Sequence, residues 1–437
     1  GGNYNTVVGD EAGTAITTGD ENTFIGYISG SANTTGSNNT AIGRASLYNN
    51  TTGTYNTAVG RGAGQAVTTG TSNTLIGGLA GDAITTGIGN VAVGYNALTV
   101  HTTGNNNVAI GNVALESNTT ASDIVAVGVA ALRLNTTGAD NVAVGAYSLD
   151  ANTTGASNTA VGDNSLTANT TADNNTGIGY YALKANTTGT RNTAVGESAM
   201  VTNTTGNYNV AVGDSSLQGN TTGSLNVALG DFALDANTTG SSNVAVGQDA
   251  LGANSTASNN TALGYRSLLA NTTGASNVAL GAQALAANTT GEANVGIGYV
   301  TLDANTTGDS NTAVGYSSMS SNTTGHSNVA VGRGTLDKNT TGINNVAIGF
   351  KAGEDITTGD NNTAVGRVAL TNITTGDNNV GIGQGSLESL TTASNNTGLG
   401  FATLGSNTTG HSNNAVGATS LDANTTGNGN NAFGYGA

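Results

Sequence analysis

Length, composition and charge restrict this chain to few classes of protein. It has 437 residues with 68 glycines, 4% aromatic and 8% charged residues, and no proline, cysteine or tryptophan. The net charge of −16 and the scattered Lys and Arg residues argue against nucleic-acid binding, because phosphate recognition uses clustered cations. No apolar run is long enough for a transmembrane helix, so membrane insertion is not predicted either.

A unit of seventeen residues recurs 26 times, from Asn5 to Asn430, without insertion or deletion. An unbroken short period is typical of a solenoid, in which each coil stacks on the next. We therefore predict an all-β, parallel β-solenoid (β-roll) of about 26 coils. Residues 1–437 are expected to form one continuous repeat array, cut within a repeat at both ends as an excerpt of a longer chain or a filament subunit.

Within each coil, numbered from its Asn, the residue pattern predicts two strands and two turns. Position 2 is Thr or Val in 24 coils and position 4 is apolar in all 26, so both are predicted to face the coil's core. Position 5 is Gly in every coil, which predicts a bend or a positive φ. Leu or Met at position 9 predicts a second strand, and Asn-Thr-Thr-Gly at positions 12–15 predicts a turn.

Position 3 is Ala in 19 coils and Gly in four, so the first strand is apolar on both faces. A strand of this kind is normally buried on both faces. We interpret the stripe of alanines as a contact with identical chains in a homo-oligomer. The predicted interface residues are Ala143, Ala160, Ala194, Ala211, Ala228 and Ala245.

Substitutions within the repeat indicate which positions share space. Five coils carry Gly instead of Leu at position 9, and four of these carry Ile or Val instead of Asn at position 12. The bulky residues at position 3, Val7, Phe24 and Leu75, occur only in coils that lack Leu at position 9. Positions 3, 9 and 12 are therefore predicted to line one volume, within a chain or between chains.

Asparagine at position 12 has two interpretations. The Asn-Thr-Thr pattern matches the N-glycosylation acceptor. However, Thr persists at position 14 where the Asn is replaced, and Ile or Val replaces Asn where core volume is missing, which favours an inward asparagine ladder. Position 1 is predicted to form a second ladder. The ladder or glycosylation candidates are Asn33, Asn50, Asn118, Asn135, Asn152, Asn169, Asn186, Asn203, Asn220, Asn237, Asn271, Asn288, Asn305, Asn322, Asn339, Asn407 and Asn424.

The stretch Asn141-Val142-Ala143-Val144-Gly145, followed by Ser148-Leu149, resembles the repeats of YadA-type head domains of trimeric autotransporter adhesins. Longer repeats with the Asn-Thr-Thr-Gly turn are similar to those of phage tail-fibre shafts. The resemblance covers the whole chain. It implies a left-handed parallel β-roll, assembled as a parallel trimer on an extracellular fibre.

Catalysis is not expected, because His101, His326 and His411 lie many coils apart. Neither a cofactor nor a metal site is predicted. We expect the structural shaft of a homo-oligomeric fibre at the cell surface, outside the cell or on a virion tail: an adhesin stalk, a surface filament or a tail fibre. The alternative is a ligand-binding solenoid that binds ice, or an adhesin that binds or carries glycans. Identical chains are the predicted partners, with a host surface or glycans as further candidates.

Overall fold

The computed structural model describes residues 2–437 and confirms the predicted parallel β-solenoid of seventeen-residue coils. Each coil contributes one strand of three residues, and within each of the two units described below neighbouring strands pair in parallel. No helix occurs between residues 2 and 437. The chain divides into two compact units, Gly1–Thr222 and Gly223–Ala437. One continuous array over residues 1–437 stays a prediction.

Each unit contains thirteen strands. The first unit contains β1 (Thr6–Val8), β2 (Thr23–Ile25), β3 (Thr40–Ile42), β4 (Thr57–Val59), β5 (Thr74–Ile76), β6 (Val91–Val93), β7 (Val108–Ile110), β8 (Val125–Val127), β9 (Val142–Val144), β10 (Thr159–Val161), β11 (Thr176–Ile178), β12 (Thr193–Val195) and β13 (Val210–Val212). The second contains β14 (Val227–Leu229), β15 (Val244–Val246), β16 (Thr261–Leu263), β17 (Val278–Leu280), β18 (Val295–Ile297), β19 (Thr312–Val314), β20 (Val329–Val331), β21 (Val346–Ile348), β22 (Thr363–Val365), β23 (Val380–Ile382), β24 (Thr397–Leu399), β25 (Asn414–Val416) and β26 (Asn431–Phe433).

The two faces of the strand are the reverse of the prediction. In β10, Ala160 is fully buried inside its own coil, whereas Thr159 and Val161 are only half-buried. The reason is space: a Cβ added to Gly177, at position 3 of the next coil, would lie 2.7 Å from Ser165 Oγ and 3.3 Å from Leu166 Cγ. The narrow interior therefore admits small side chains at position 3, and the β-branched residues face outward.

The predicted alanine interface between chains is consequently wrong. The six alanines assigned to it have no exposed surface, because each lies inside its own chain. A side chain without exposed surface has nothing to offer a second molecule. These alanines are Ala143, Ala160, Ala194, Ala211, Ala228 and Ala245.

The second strand predicted around position 9 does not form. Positions 6–11 are turns, and the backbone at positions 7, 9 and 17 is left-handed in every complete coil, for example at Asn164 (φ 56°), Leu166 (φ 52°) and Asn174 (φ 61°). Extended strands need negative φ, so this conformation excludes a strand. Backbone hydrogen bonds still join the coils here: Leu166 N–H donates to Ala182 O at 3.0 Å.

The predicted common volume of positions 3, 9 and 12 is confirmed, and it lies within one chain. Gly81, at position 9, has no side chain where Leu75 and Ile84 meet: a Cβ there would lie 2.7 Å from Leu75 Cδ2 and 2.8 Å from Ile84 Cδ1. In the coil of Gly30, the ring of Phe24 occupies the same space, because a Cβ added to Gly30 would lie 2.8 Å from ring carbons of Phe24. Apolar volume is thus exchanged among three positions while the coil keeps its size.

The invariant glycine at position 5 has the predicted positive φ. Gly162 has φ 134°, a conformation that L-residues rarely adopt, and an added Cβ would lie 2.4 Å from Gly179 O in the next coil. Gly155, at position 15, is equally close to the next coil, with 2.4 Å to Ala172 O, but its φ is not positive. Ala occupies position 15 in four coils and position 5 in none.

This contrast gives a test of the two glycine positions. We expect Gly162→Ala to destabilise the solenoid by roughly 3 kcal/mol or more, because the backbone strain adds to the steric clash. Gly155→Ala should cost clearly less, because its φ adds no strain and shifts of the neighbouring backbone and of the Asn152 amide relieve the clash. Urea unfolding followed by circular dichroism measures both, and equal losses would contradict the role of φ.

Candidate functional surfaces

The interior of each coil holds the predicted asparagine ladder at position 12. Asn169 Nδ2 donates to Asn152 Oδ1 in the preceding coil at 2.9 Å and to Ala172 O in its own turn at 3.1 Å. Asn169 Oδ1 accepts from Asn186 Nδ2 at 3.1 Å. These amides are fully buried, so the ladder satisfies polar groups that would otherwise lose their hydrogen bonds.

Position 1 forms the second predicted ladder. Asn158 donates from its backbone N–H and from Nδ2 to Asn141 Oδ1, at 2.9 and 3.2 Å. Its Nδ2 also donates to Ala172 O at 2.9 Å, the carbonyl that Asn169 uses. The two ladders therefore meet at the position-15 carbonyl and close the turn between them.

Both ladders have defined interruptions. Ile124 replaces Asn at position 1, and only its backbone N–H still donates to Asn107 Oδ1, at 3.2 Å. At position 12, the Oδ1 atoms of Asn50 and Asn339 are buried without a hydrogen-bond partner, because the following coils carry Val67 and Ile356. An unsatisfied buried acceptor costs about 1–3 kcal/mol.

Histidine replaces one rung of the ladder at position 12. The His101 ring is fully buried, with Nε2 2.8 Å from Gly104 O and Nδ1 3.0 Å from Asn118 Nδ2. These contacts require a neutral ring with the proton on Nε2, which donates to the carbonyl while Nδ1 accepts from the amide. Burial lowers the pKa of His101, and the hydrogen bond to Gly104 opposes this in part.

The ladder geometry bears on glycosylation at position 12. Every candidate Asn is fully buried except Asn424, which is half-buried. A glycan would replace a hydrogen of Nδ2, the atom that in Asn169 donates to two acceptors. Attachment to the folded coil would therefore break the ladder and need space that the interior lacks.

The outward strand face forms a continuous uncharged stripe in each unit. Positions 2 and 4 carry Thr, Val, Ile, Leu, Asn or Phe and no charged residue in any coil. Position 4 remains substantially exposed, as in Ile110 (39%), Val144 (37%) and Leu263 (43%). Thirteen strands about 4.8 Å apart make this stripe roughly 58 Å long in each unit, and long exposed apolar patches mark interaction sites.

A column of threonines at position 14 follows the turn. All 25 complete coils carry Thr here and all 25 side chains are exposed, from Thr18 to Thr426. Apart from Thr222, their hydroxyls make no hydrogen bond to residues 2–437. The neighbouring position-13 hydroxyls do bond to the next coil, as Thr153 Oγ1 donates to Thr170 O at 3.0 Å. Position 14 is thus uniform in sequence without a visible role in the fold.

The three histidines are dispersed along the chain. His326 and His411 are exposed in different coils, far along the sequence from His101. Within residues 2–437, no group of three or more His, Cys, Asp or Glu residues could hold a metal ion. The same part of the chain contains no helix that is both long and apolar enough to cross a membrane.

Comparisons with known proteins leave the family open. No protein-family model matches this chain, and no curated protein matches it significantly. The resemblance to YadA-type head repeats and to phage tail-fibre shafts therefore stays a prediction.

The neutral rung at His101 predicts a pH dependence of stability. The pKa of His101 is lowered in the folded state. The neutral ring therefore contributes fully to the free energy of unfolding above the ordinary pKa of 6.5, and this contribution is lost as the pH falls below that value. We expect His101→Asn, which keeps both hydrogen-bonding roles, to be less sensitive to acid, by up to about 1.4 kcal/mol per pH unit.

Thermal unfolding of both proteins at pH 7.5 and pH 5 measures this difference. His326→Asn changes an exposed ring outside the ladder and is the matched control. If His101→Asn loses as much stability on acidification as the parent chain, the neutral rung is excluded.

Proposed function

We propose that this chain is the structural shaft of an extracellular homo-oligomeric fibre: an adhesin stalk, a surface filament or a phage tail fibre. The observation that carries the proposal is the uncharged outward stripe at positions 2 and 4. Water-exposed Val, Ile and Leu in regular rows are stabilised when another surface covers them.

A second copy of the chain is the partner that fits this stripe best. The stripe repeats once per coil, so side chains from a partner interdigitate along its whole length only if the partner has the same spacing. Identical chains satisfy that condition without any further adjustment. The resemblance described above adds a parallel arrangement of three left-handed chains to the proposal.

The distribution of charge is consistent with such an assembly. The chain carries a net charge of −16, yet its acidic residues lie at other repeat positions. Identical chains therefore bring together uncharged surfaces while their carboxylates stay in water. Charge repulsion on the remaining surface limits further lateral association.

Mechanically, the fold suits a stiff spacer. Within each unit, each coil is joined to its neighbours by backbone hydrogen bonds on the strand side and on the turn side, and by two buried amide ladders. Bending would have to lengthen several of these bonds at once. A shaft of this kind holds a binding region away from its base.

The oligomer is tested by placing charge on the stripe. We expect Val144→Asp, Val161→Asp and Ile178→Asp, combined in consecutive coils, to raise the dissociation constant at least about 100-fold, because desolvating carboxylates costs several kcal/mol. Sedimentation over a dilution series measures the change, and circular dichroism verifies the fold.

The matched control places the same three charges in the same coils at position 7, outside the strand, as Tyr147→Asp, Asn164→Asp and Tyr181→Asp; Tyr147 is exposed, and Asn164 and Tyr181 are half-buried. This control should assemble like the parent chain. A parent chain that is monomeric at all concentrations, or a stripe variant with unchanged assembly, would overturn the proposal.

A second candidate function is supported by the threonine column. Exposed hydroxyls in a regular row suit binding to an ordered surface such as ice, and they are also accessible for attached sugars. This candidate belongs to a different class, since its target is a ligand and not an identical chain.

Thermal hysteresis measured on the purified chain tests ice binding. We expect Thr154→Lys with Thr171→Lys to reduce the hysteresis more than Ser157→Lys with Asn174→Lys, which alter exposed residues of the same two coils. Absence of hysteresis in the parent chain excludes ice binding. The intact mass of the native protein shows whether sugars are attached.

A further inference from the structure

Two arginines lie at the same repeat position of consecutive coils in the first unit, outside the surfaces described so far. Arg44 and Arg61 both occupy position 6, in consecutive coils, and both side chains are exposed. Gly62 N–H donates to Arg44 O at 2.9 Å, and this hydrogen bond sets Arg61 beside Arg44 in the stacked coils. No other pair of cations in the chain shares a repeat position in consecutive coils.

Both guanidinium groups lack a partner within residues 2–437, unlike most cations of this chain. Four cations form ion pairs: Arg133, Arg266, Lys338 and Lys351. Three more lie over tyrosine rings: Lys184, Arg191 and Arg333. Only Arg367 shares the isolation of Arg44 and Arg61, and it has no neighbouring arginine.

The stretch around the pair is free of acidic residues. Residues 22–81 contain no Asp or Glu, although the chain has 26 acidic residues in all. Like charges at neighbouring positions repel each other, and the carboxylates nearest in sequence, Glu21 and Asp82, lie just outside this stretch. The arrangement is therefore locally positive on a protein that is otherwise strongly negative.

A surface cavity of about 280 Å³ lies beside the pair. Arg44, Arg61 and Gln65 supply polar donors to its lining, and Ile28 and Leu79 supply apolar surface. Two guanidinium groups on one side can hold the oxygens of a single oxyanion through charge-assisted hydrogen bonds. The apolar side chains can pack against a small organic group that carries the anion.

We propose that this cavity binds one small organic oxyanion, in which a carboxylate, sulfate or phosphate group is carried on a partly apolar body such as a sugar ring. The net charge of −16 argues against a long polyanion, because its remaining charges would meet an acidic surface. This site is independent of the proposed fibre, since position 6 lies outside the strand.

Isothermal titration calorimetry of the full chain at constant ionic strength tests the site. The probes are sodium glucuronate and inorganic sulfate, with glucose as the neutral counterpart of glucuronate. We expect saturable binding of both anions at one site per chain and no binding of glucose. Arg44→Ala with Arg61→Ala should weaken binding at least about tenfold, or 1.4 kcal/mol.

Arg367→Ala is the matched control, because it removes another isolated arginine from position 6. Its affinity should stay within about twofold of the parent chain, a difference well below the tenfold step. Circular dichroism verifies that each variant keeps the fold. No saturable binding by the parent chain, or equal weakening by Arg367→Ala and the double variant, overturns the proposal.

Discussion

Everything in this structure depends on the in-register stacking of coils of equal length. Ala160 pairs with Ala143 on one side and with Gly177 on the other, each seventeen residues away. The same step joins Asn169 to Asn152 and to Asn186. An inserted residue would shift the strand, the turn and both ladders together, because all of them share the step. The absence of insertions over 26 repeats follows from this requirement.

Two demands compete inside the coil: hydrogen bonding along the ladder and filling of a narrow volume. Where Leu at position 9 is replaced by Gly, as at Gly64, the space is filled by Leu75 from the next coil and by Val67 from position 12. The ladder is then interrupted, and Asn50 is left with an unsatisfied Oδ1. Apolar packing can offset one buried acceptor at this site, because burying a Val side chain and leaving one acceptor unsatisfied involve free energies of similar size.

The repeat length, the parallel stacking, the ladders and the positive φ at position 5 could all be predicted from the sequence, because each depends on a period or on a residue with one special property. The orientation of the strand could not be predicted from alternation, since both of its faces are apolar. The deciding signal was the covariation of Phe24 and Leu75 with glycine at position 9, which places position 3 inside. The left-handed backbone at Leu166 carries no sequence signal, because packing holds a bulky residue there against its preference.

Reversing the strand faces changes which surface is available to a partner, and it strengthens the case for association. Alanines on the outside would offer little area, whereas Val144 and Ile178 expose larger side chains that lose more contact with water when covered. The interior needs no partner, because the coil closes on its own alanines, leucines and amides. The proposed assembly therefore rests on the outward stripe alone. The turn surfaces, which carry the Thr154 column and the Arg44–Arg61 pair, remain free to meet other ligands when that stripe is covered.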